Sequence, residues 1–170
     1  MASLHIVGIG NTLLGDDGVG PRVVDMLAPH LADNPDVALV DGGTLGFALT
    51  GWLEDADCLI VVDAAKHGRE PGELAVFEDE AMDAFVCRRG RSVHEVGLAD
   101  ALDMARLGGR LPARRILIGI EPEYVDWGDQ LSAPVAAAAE RAVAIILEHA
   151  GQPDNRPAGP AASPGTEVTA

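Results

Sequence analysis

Gly8-Ile-Gly-Asn-Thr-Leu-Leu-Gly-Asp-Asp-Gly-Val-Gly20 is a glycine-rich stretch that holds two adjacent aspartates. An apolar run, Leu4 to Val7, precedes it, and a helical pattern of Val23, Val24, Leu27 and Leu31 follows it. A buried strand therefore hands over to a helix here, the position that phosphate-binding loops occupy in many α/β proteins. Those loops work through backbone N–H groups and lack paired acids. Asp16 and Asp17 would repel a phosphate and attract a cation. The dinucleotide fingerprint G-x-G-x-x-G also fails, because Leu13 stands where the third glycine belongs. Helix capping is the plainer reading of the pair, since aspartate is favoured at N-caps and in first turns. One aspartate suffices for a cap, which leaves the other for a different task.

Strands and helices alternate outward from this loop. The first strand covers Leu4 to Gly8 and its helix Gly18 to Leu31. A second strand, Val37 to Val40, runs into Asp41-Gly42-Gly43-Thr44, and a helix follows with Leu45, Leu49, Trp52 and Leu53 as its apolar face. Cys58 to Val62 is a continuous apolar run ending on Asp63, the pattern of a central parallel strand buried on both faces. A short strand spans Glu73 to Phe77, followed by helices from Glu78 to Val86 and from Val93 to Leu107. Arg115 to Ile120 reads as a strand and Val135 to His149 as the last helix. Ser92-Val93-His94-Glu95 matches a capping box, Gly108-Gly109 supplies a stop, and Ser132 with Pro134 marks another helix start. The alternation predicts an α/β fold, a three-layer α/β/α sandwich forming one domain over residues 1–150. Residues 151–170 are dominated by Pro, Ala, Gly and Ser without periodicity and are expected to be a disordered tail.

The charge balance narrows the partners. Twenty-seven acids against 12 Lys plus Arg give a net charge of −15, which opposes binding to nucleic acid or to an anionic membrane surface. Two cysteines, Cys58 in a core run and Cys87, make neither a disulfide framework nor a zinc cluster. No signal peptide is recognisable, and no apolar run approaches the ~20 residues of a membrane span. A cytoplasmic location is expected.

In doubly wound sheets, sites form beyond the carboxyl ends of the strands. Asp16 and Asp17 follow the first strand, Asp41 ends the second and Asp63 ends the third. An aspartate ending an apolar strand is costly to bury alone, so Asp63 is expected to have a partner. Among five histidines, His5 reads as structural, His30 and His149 as helix-end cations, and His67 as a surface residue in a charged loop. His94 falls in the first turn of a helix, where the positive helix end favours a neutral, metal-ligating imidazole. Asp17, Asp63 and His94 together would make a nitrogen–oxygen site suited to zinc, nickel or another borderline ion, with positions left open for water or substrate. A G-x-S-x-G elbow is absent, and Cys87, followed by Arg88, Arg89 and Arg91, lies outside the strand-end cluster.

From about residue 4 to residue 148 the chain resembles the hydrogenase maturation endopeptidases. The resemblance rests on five linked motifs: Gly8 to Gly20, Asp41-Gly-Gly-Thr-Leu-Gly46, Val61-Val-Asp-Ala64, Ser92-Val-His-Glu-Val-Gly-Leu-Ala-Asp100 and Ile118-Gly-Ile-Glu-Pro122. It implies a five-stranded, mostly parallel sheet whose short fourth strand is antiparallel. It implies an endopeptidase that removes the C-terminal extension from the precursor of a nickel–iron hydrogenase large subunit after nickel insertion. The implied partner is that nickel-loaded precursor, the metal is the substrate's own nickel rather than a permanent ion, and the enzyme acts as a monomer. Asp17, Asp63 and His94 match the family's catalytic and metal-binding positions. Asp41, Gly42 and Gly43 match a loop associated with substrate recognition, to which we add Asp16. Two departures stand out: Asp17 replaces a frequent glutamate, shortening the reach, and Glu121 replaces a frequent glutamine. A non-catalytic nickel-sensing chaperone of the same precursor is the contrary expectation, separable by whether purified protein shortens the large subunit.

Overall fold

In the computed structural model of the chain the described residues are 3–44, 49–88 and 93–151. The elements run β1 (Leu4–Ile9), a single 3-10 turn (Gly15–Gly18), α1 (Val19–Leu31), β2 (Val37–Gly43), α2 (Thr50–Glu54), β3 (Cys58–Ala64) and β4 (Leu74–Glu78). They continue with α3 (Glu80–Val86), α4 (Val93–Leu107), β5 (Arg114–Ile120) and α5 (Ala133–Ala150). Residues 152–170 of the expected tail, Ser92 of the expected capping box, and Arg89 and Arg91 near Cys87 lie outside the described residues.

The five strands form one sheet in the order β2-β1-β3-β5-β4. All neighbours pair in parallel except β4 with β5, which are antiparallel. Side chains alternate faces along each strand, and the alternation sorts the core into two clusters. Cys58, Ile60 and Val62 of β3, with Ile116, Ile118 and Ile120 of β5, pack under α1 and α5. Leu59 and Val61, with Leu117, pack under α2, α3 and α4 through Leu53, Phe85, Leu98 and Leu102. These are the three expected layers, and β3 is apolar from Cys58 to Val62 because both its faces are covered. Burial pushes the Cys58 thiol above its ordinary pKa, as expected for a cysteine in that core, while Cys87 is exposed. No helix among the described residues is long and apolar enough to cross a membrane.

Several local expectations change. The second strand extends through Asp41 and Gly42 to Gly43, so these residues end a strand rather than open a loop. The α2 helix covers Thr50–Glu54, and Leu45 of the expected apolar face lies outside the described residues. Leu49 and Leu53 are buried but Trp52 is half-exposed, its ring set edge-on to His5 and its carbonyl 2.6 Å from His5 Nδ1. The expected start of the last helix holds, with Ser132 as the N-cap residue of α5 and Pro134 in its first turn, although the Ser132 side chain makes no capping bond. Glu78 completes β4, and α3 starts at Glu80.

Candidate active site

The sheet has a switch point between β1 and β3. The connection from β1 to β2 passes through α1 on one face, and that from β2 to β3 through α2 on the other. Open α/β sheets bind their ligands in the crevice beyond the strand ends at this place. The first loop is shaped to crowd into it. A Cβ on Gly20 would collide with the carbonyl oxygens of Ile9 and Val62, so only glycine lets α1 start against the ends of β1 and β3. Gly10 has φ +136° and faces the Asp17 carbonyl closely, which folds the loop back on itself. The third glycine missing at Leu13 is thus supplied later, at Gly20.

Asp17 and Asp63 both lie at this crevice. Asp17 is 6% exposed, and its Oδ2 accepts the Asn11 N–H at 2.8 Å. Asp63 is 1% exposed and follows Leu59 and Val61 on the face covered by α4, level with Gly119 of β5. The α4 axis brings residue 94 to the same edge. Its C-terminal end packs beside Glu54 at the end of α2, below the start of β5, so its first turn lies roughly 22 Å away at the carboxyl edge. Position 94 stands one turn before the buried Leu98. The His94 side chain lies outside what is described. Among the described side chains, no group of three His, Cys, Asp or Glu gathers tightly enough for an ion. Two carboxylates plus an imidazole would form an open nitrogen–oxygen set for a borderline divalent ion.

Asp16 has a different task from capping. Its side chain caps neither the 3-10 turn nor α1. It is fully buried and accepts four hydrogen bonds from the segment after β5: Glu123 N–H at 2.9 Å, Tyr124 N–H at 3.1 Å, Ser132 N–H at 2.7 Å and Ser132 O–H at 2.8 Å. Backbone bonds reinforce the clasp, from Gly15 N–H to Gly128 O at 2.8 Å and from Gly128 N–H to Leu13 O at 3.0 Å. Asp16 therefore fixes the loop that carries Asp17. Asp16→Asn would turn an amide N–H against donors and is expected to destabilise the protein by about 2–3 kcal/mol. Thermal melts should show this as a fall in Tm of roughly 5–10 °C, and an unchanged Tm would mean that the clasp adds nothing to stability.

Asp41 is exposed, and its Oδ1 accepts the Gly43 N–H at 2.9 Å. Pairing with β1 skips Gly42, since Gly8 faces Asp41 and Ile9 faces Gly43, so β2 carries a bulge at its end. Bulges re-aim side chains at sheet rims. Here the result is a cleft of about 220 Å³ between the first loop and the end of β2, lined by Gly10, Asn11, Thr12, Asp41, Gly43 and Thr44. On the other flank, Glu121 Oε2 accepts N–H bonds from His67 at 2.7 Å, Gly68 at 2.9 Å and Arg69 at 3.4 Å. The extra acid at position 121 therefore ties down the loop after β3. His67 is not a surface residue, because its side chain is 5% exposed. Its burial, and the ring of Tyr124 packed over Gly15, are site features that residue patterns did not indicate. The rim outside the first loop is apolar: Leu13, Tyr124 and Val125 are about half-exposed and Trp127 is 80% exposed.

Comparison with known proteins follows the same lines. The family model described as hydrogenase maturation protease (HycI) matches residues 21–149. The chain is 40% identical over 147 residues to the hydrogenase expression/formation protein HoxM of Azotobacter vinelandii, covering 86% of this chain and 71% of that protein. It is 34% identical over 143 residues to the hydrogenase 2 maturation protease of Escherichia coli K12, covering 84% and 87%. Its fold is similar to the solved structure of the hydrogenase maturating endopeptidase HybD from E. coli, with TM-score 0.78, 32% identity and coverage of 89% and 94% of the two chains.

Proposed function

The chain belongs to the hydrogenase maturation protease family, and from that premise we propose that it cuts the C-terminal extension from the precursor of a nickel–iron hydrogenase large subunit once nickel is in place. In this reading the substrate's nickel is what the site reads. Asp17, Asp63 and His94 meet that ion, and the enzyme carries no permanent metal, working as a monomer in the cytoplasm. The observation that carries the proposal is the placement of Asp17 and Asp63 at the β1/β3 switch point, with the first turn of α4 at the same edge. Two carboxylates at the strand ends attract a metal-bearing segment and repel a metal-free acidic one.

The surroundings fit a protein substrate. The cleft beside Asp41 opens along the first loop, where an extended segment can lie, and the apolar rim with Trp127 offers contact to a folded partner. A net charge of −15 favours a cationic or metal-loaded segment over an anionic one at this crevice. Mixing purified protein with nickel-loaded and metal-free precursor and measuring the shortened large subunit tests the reading. Cleavage is expected only with the loaded form. Equal cleavage of both forms would remove nickel from recognition and leave Asp17, Asp63 and His94 with another task.

A further inference from the structure

His67 is buried in an unusual way. Neither ring nitrogen has a hydrogen-bond partner among the described residues. Nδ1 lies 3.5 Å from Glu121 Oε2, but that oxygen already serves the backbone N–H groups of His67, Gly68 and Arg69. A buried polar group left unsatisfied is destabilising. The imidazole lines a cavity of about 340 Å³ together with Arg69, Arg88, Phe77, Phe85 and the strand β4. Two arginines and a histidine lining one cavity run against a chain whose net charge is −15. Arginine forks match carboxylate geometry through paired N–H bonds.

We propose that this cavity is a subsite for a carboxylate carried by an extended peptide. The inference deepens the proposed function, and it rests on that reading for the identity of the peptide as substrate. Among the described residues β4 is an edge strand that pairs with β5 alone, and its outer backbone groups face away from the sheet, where a peptide strand could add. Phe77 and Phe85, stacked at 4.1 Å, wall the cavity for apolar neighbours. The subsite adjoins the switch-point crevice. Asp63, Gly119 and Ala75 stand in register across β3, β5 and β4, and His67 packs over Gly119. Two strand spacings put β4 about 10 Å from Asp63, a span that roughly three extended residues cover. The carboxylate therefore sits at least about three residues from the segment held at Asp63. The site is bipolar: acids on the β2 side face the metal-bearing segment, and arginines on the β4 side hold the anionic one.

Calorimetry on the full chain with three short peptides tests this: a free C-terminal carboxylate, the same peptide amidated, and the amidated peptide with an internal glutamate. Either carboxylate source should bind at least about tenfold tighter than the neutral amide, and the ranking of the two acids identifies the source. The double variant Arg69→Ala with Arg88→Ala should lose that preference, and Arg→Lys at both positions should retain part of it. NMR signals of the His67 ring should move with the acidic peptides and not with the amide. Equal affinity for acid and amide, or a preference untouched in the double variant, overturns the subsite. Inorganic phosphate displacing the acidic peptide at equal concentration would make the cavity a general anion site and overturn the peptide assignment. Precursor cleavage is read separately, so loss of nickel dependence with the carboxylate preference intact would count against the nickel reading alone.

Discussion

Asp63→Asn is expected to lower precursor processing by about 10²–10⁴-fold while the protein stays folded. Asparagine keeps the shape of a side chain that is almost wholly buried at the end of β3, so packing against the Leu59 and Val61 face is preserved. What it removes is the negative charge, and with it the attraction to a cation in the crevice. Processing of loaded precursor, followed by the shift of the large subunit on a gel, measures the loss. Thermal melting of the same variant separates function from structure. A Tm within about 4 °C of the parent, which corresponds to roughly 1–2 kcal/mol, fits a site residue. A large fall in Tm with processing preserved would make Asp63 a structural acid and dissolve the proposed metal set.

His94→Ala should be as severe for processing and milder for the fold. Position 94 stands in the first turn of α4, and alanine is the strongest helix former, so the helix itself is expected to persist. An imidazole ligand removed from a three-donor set leaves two carboxylates, which hold a borderline ion more weakly and with poorer geometry. Affinity for nickel-loaded precursor is expected to fall at least about tenfold, and added imidazole should restore part of the cleavage. Full processing by the alanine variant would take position 94 out of the reaction and reduce the crevice to Asp17 and Asp63.

Much of the frame was legible because each element states its own surroundings. Cys58 to Val62 is apolar at every position because β3 lies between two helical layers, and that burial is written into consecutive residues. The strand-end acids were legible for the same local reason: Asp17, Asp41 and Asp63 each break an apolar or glycine-rich run where a strand stops. What could not be read depended on distant chain. Asp16 looks like a cap from its neighbours, yet its partners lie 107, 108 and 116 residues away. His67 sits next to Lys66 and before Arg69 and Glu70, which gives it a surface context, while its burial comes from β5 and Glu121. The nearest local hint was its position four residues after Asp63, beyond the small pair Ala64-Ala65. The antiparallel fourth strand was implied by family resemblance, since Leu74 to Glu78 carries no alternation that would mark its direction.

The clasp between Asp16 and Ser132 also sets a schedule for the nascent chain. The two residues are 116 positions apart, so the first loop cannot be locked while the ribosome is still making the middle of the protein. At about 5–20 residues per second, Ser132 is added roughly 6–23 s after Asp16. During that interval β1, β2 and β3 can pair and collapse, because their contacts close shorter loops, but the loop bearing Asp17 lacks its buried anchor. Peptidase competence therefore arrives with the last helix, after the sheet, and a chain halted before α5 emerges would hold a partly formed scaffold without a working crevice.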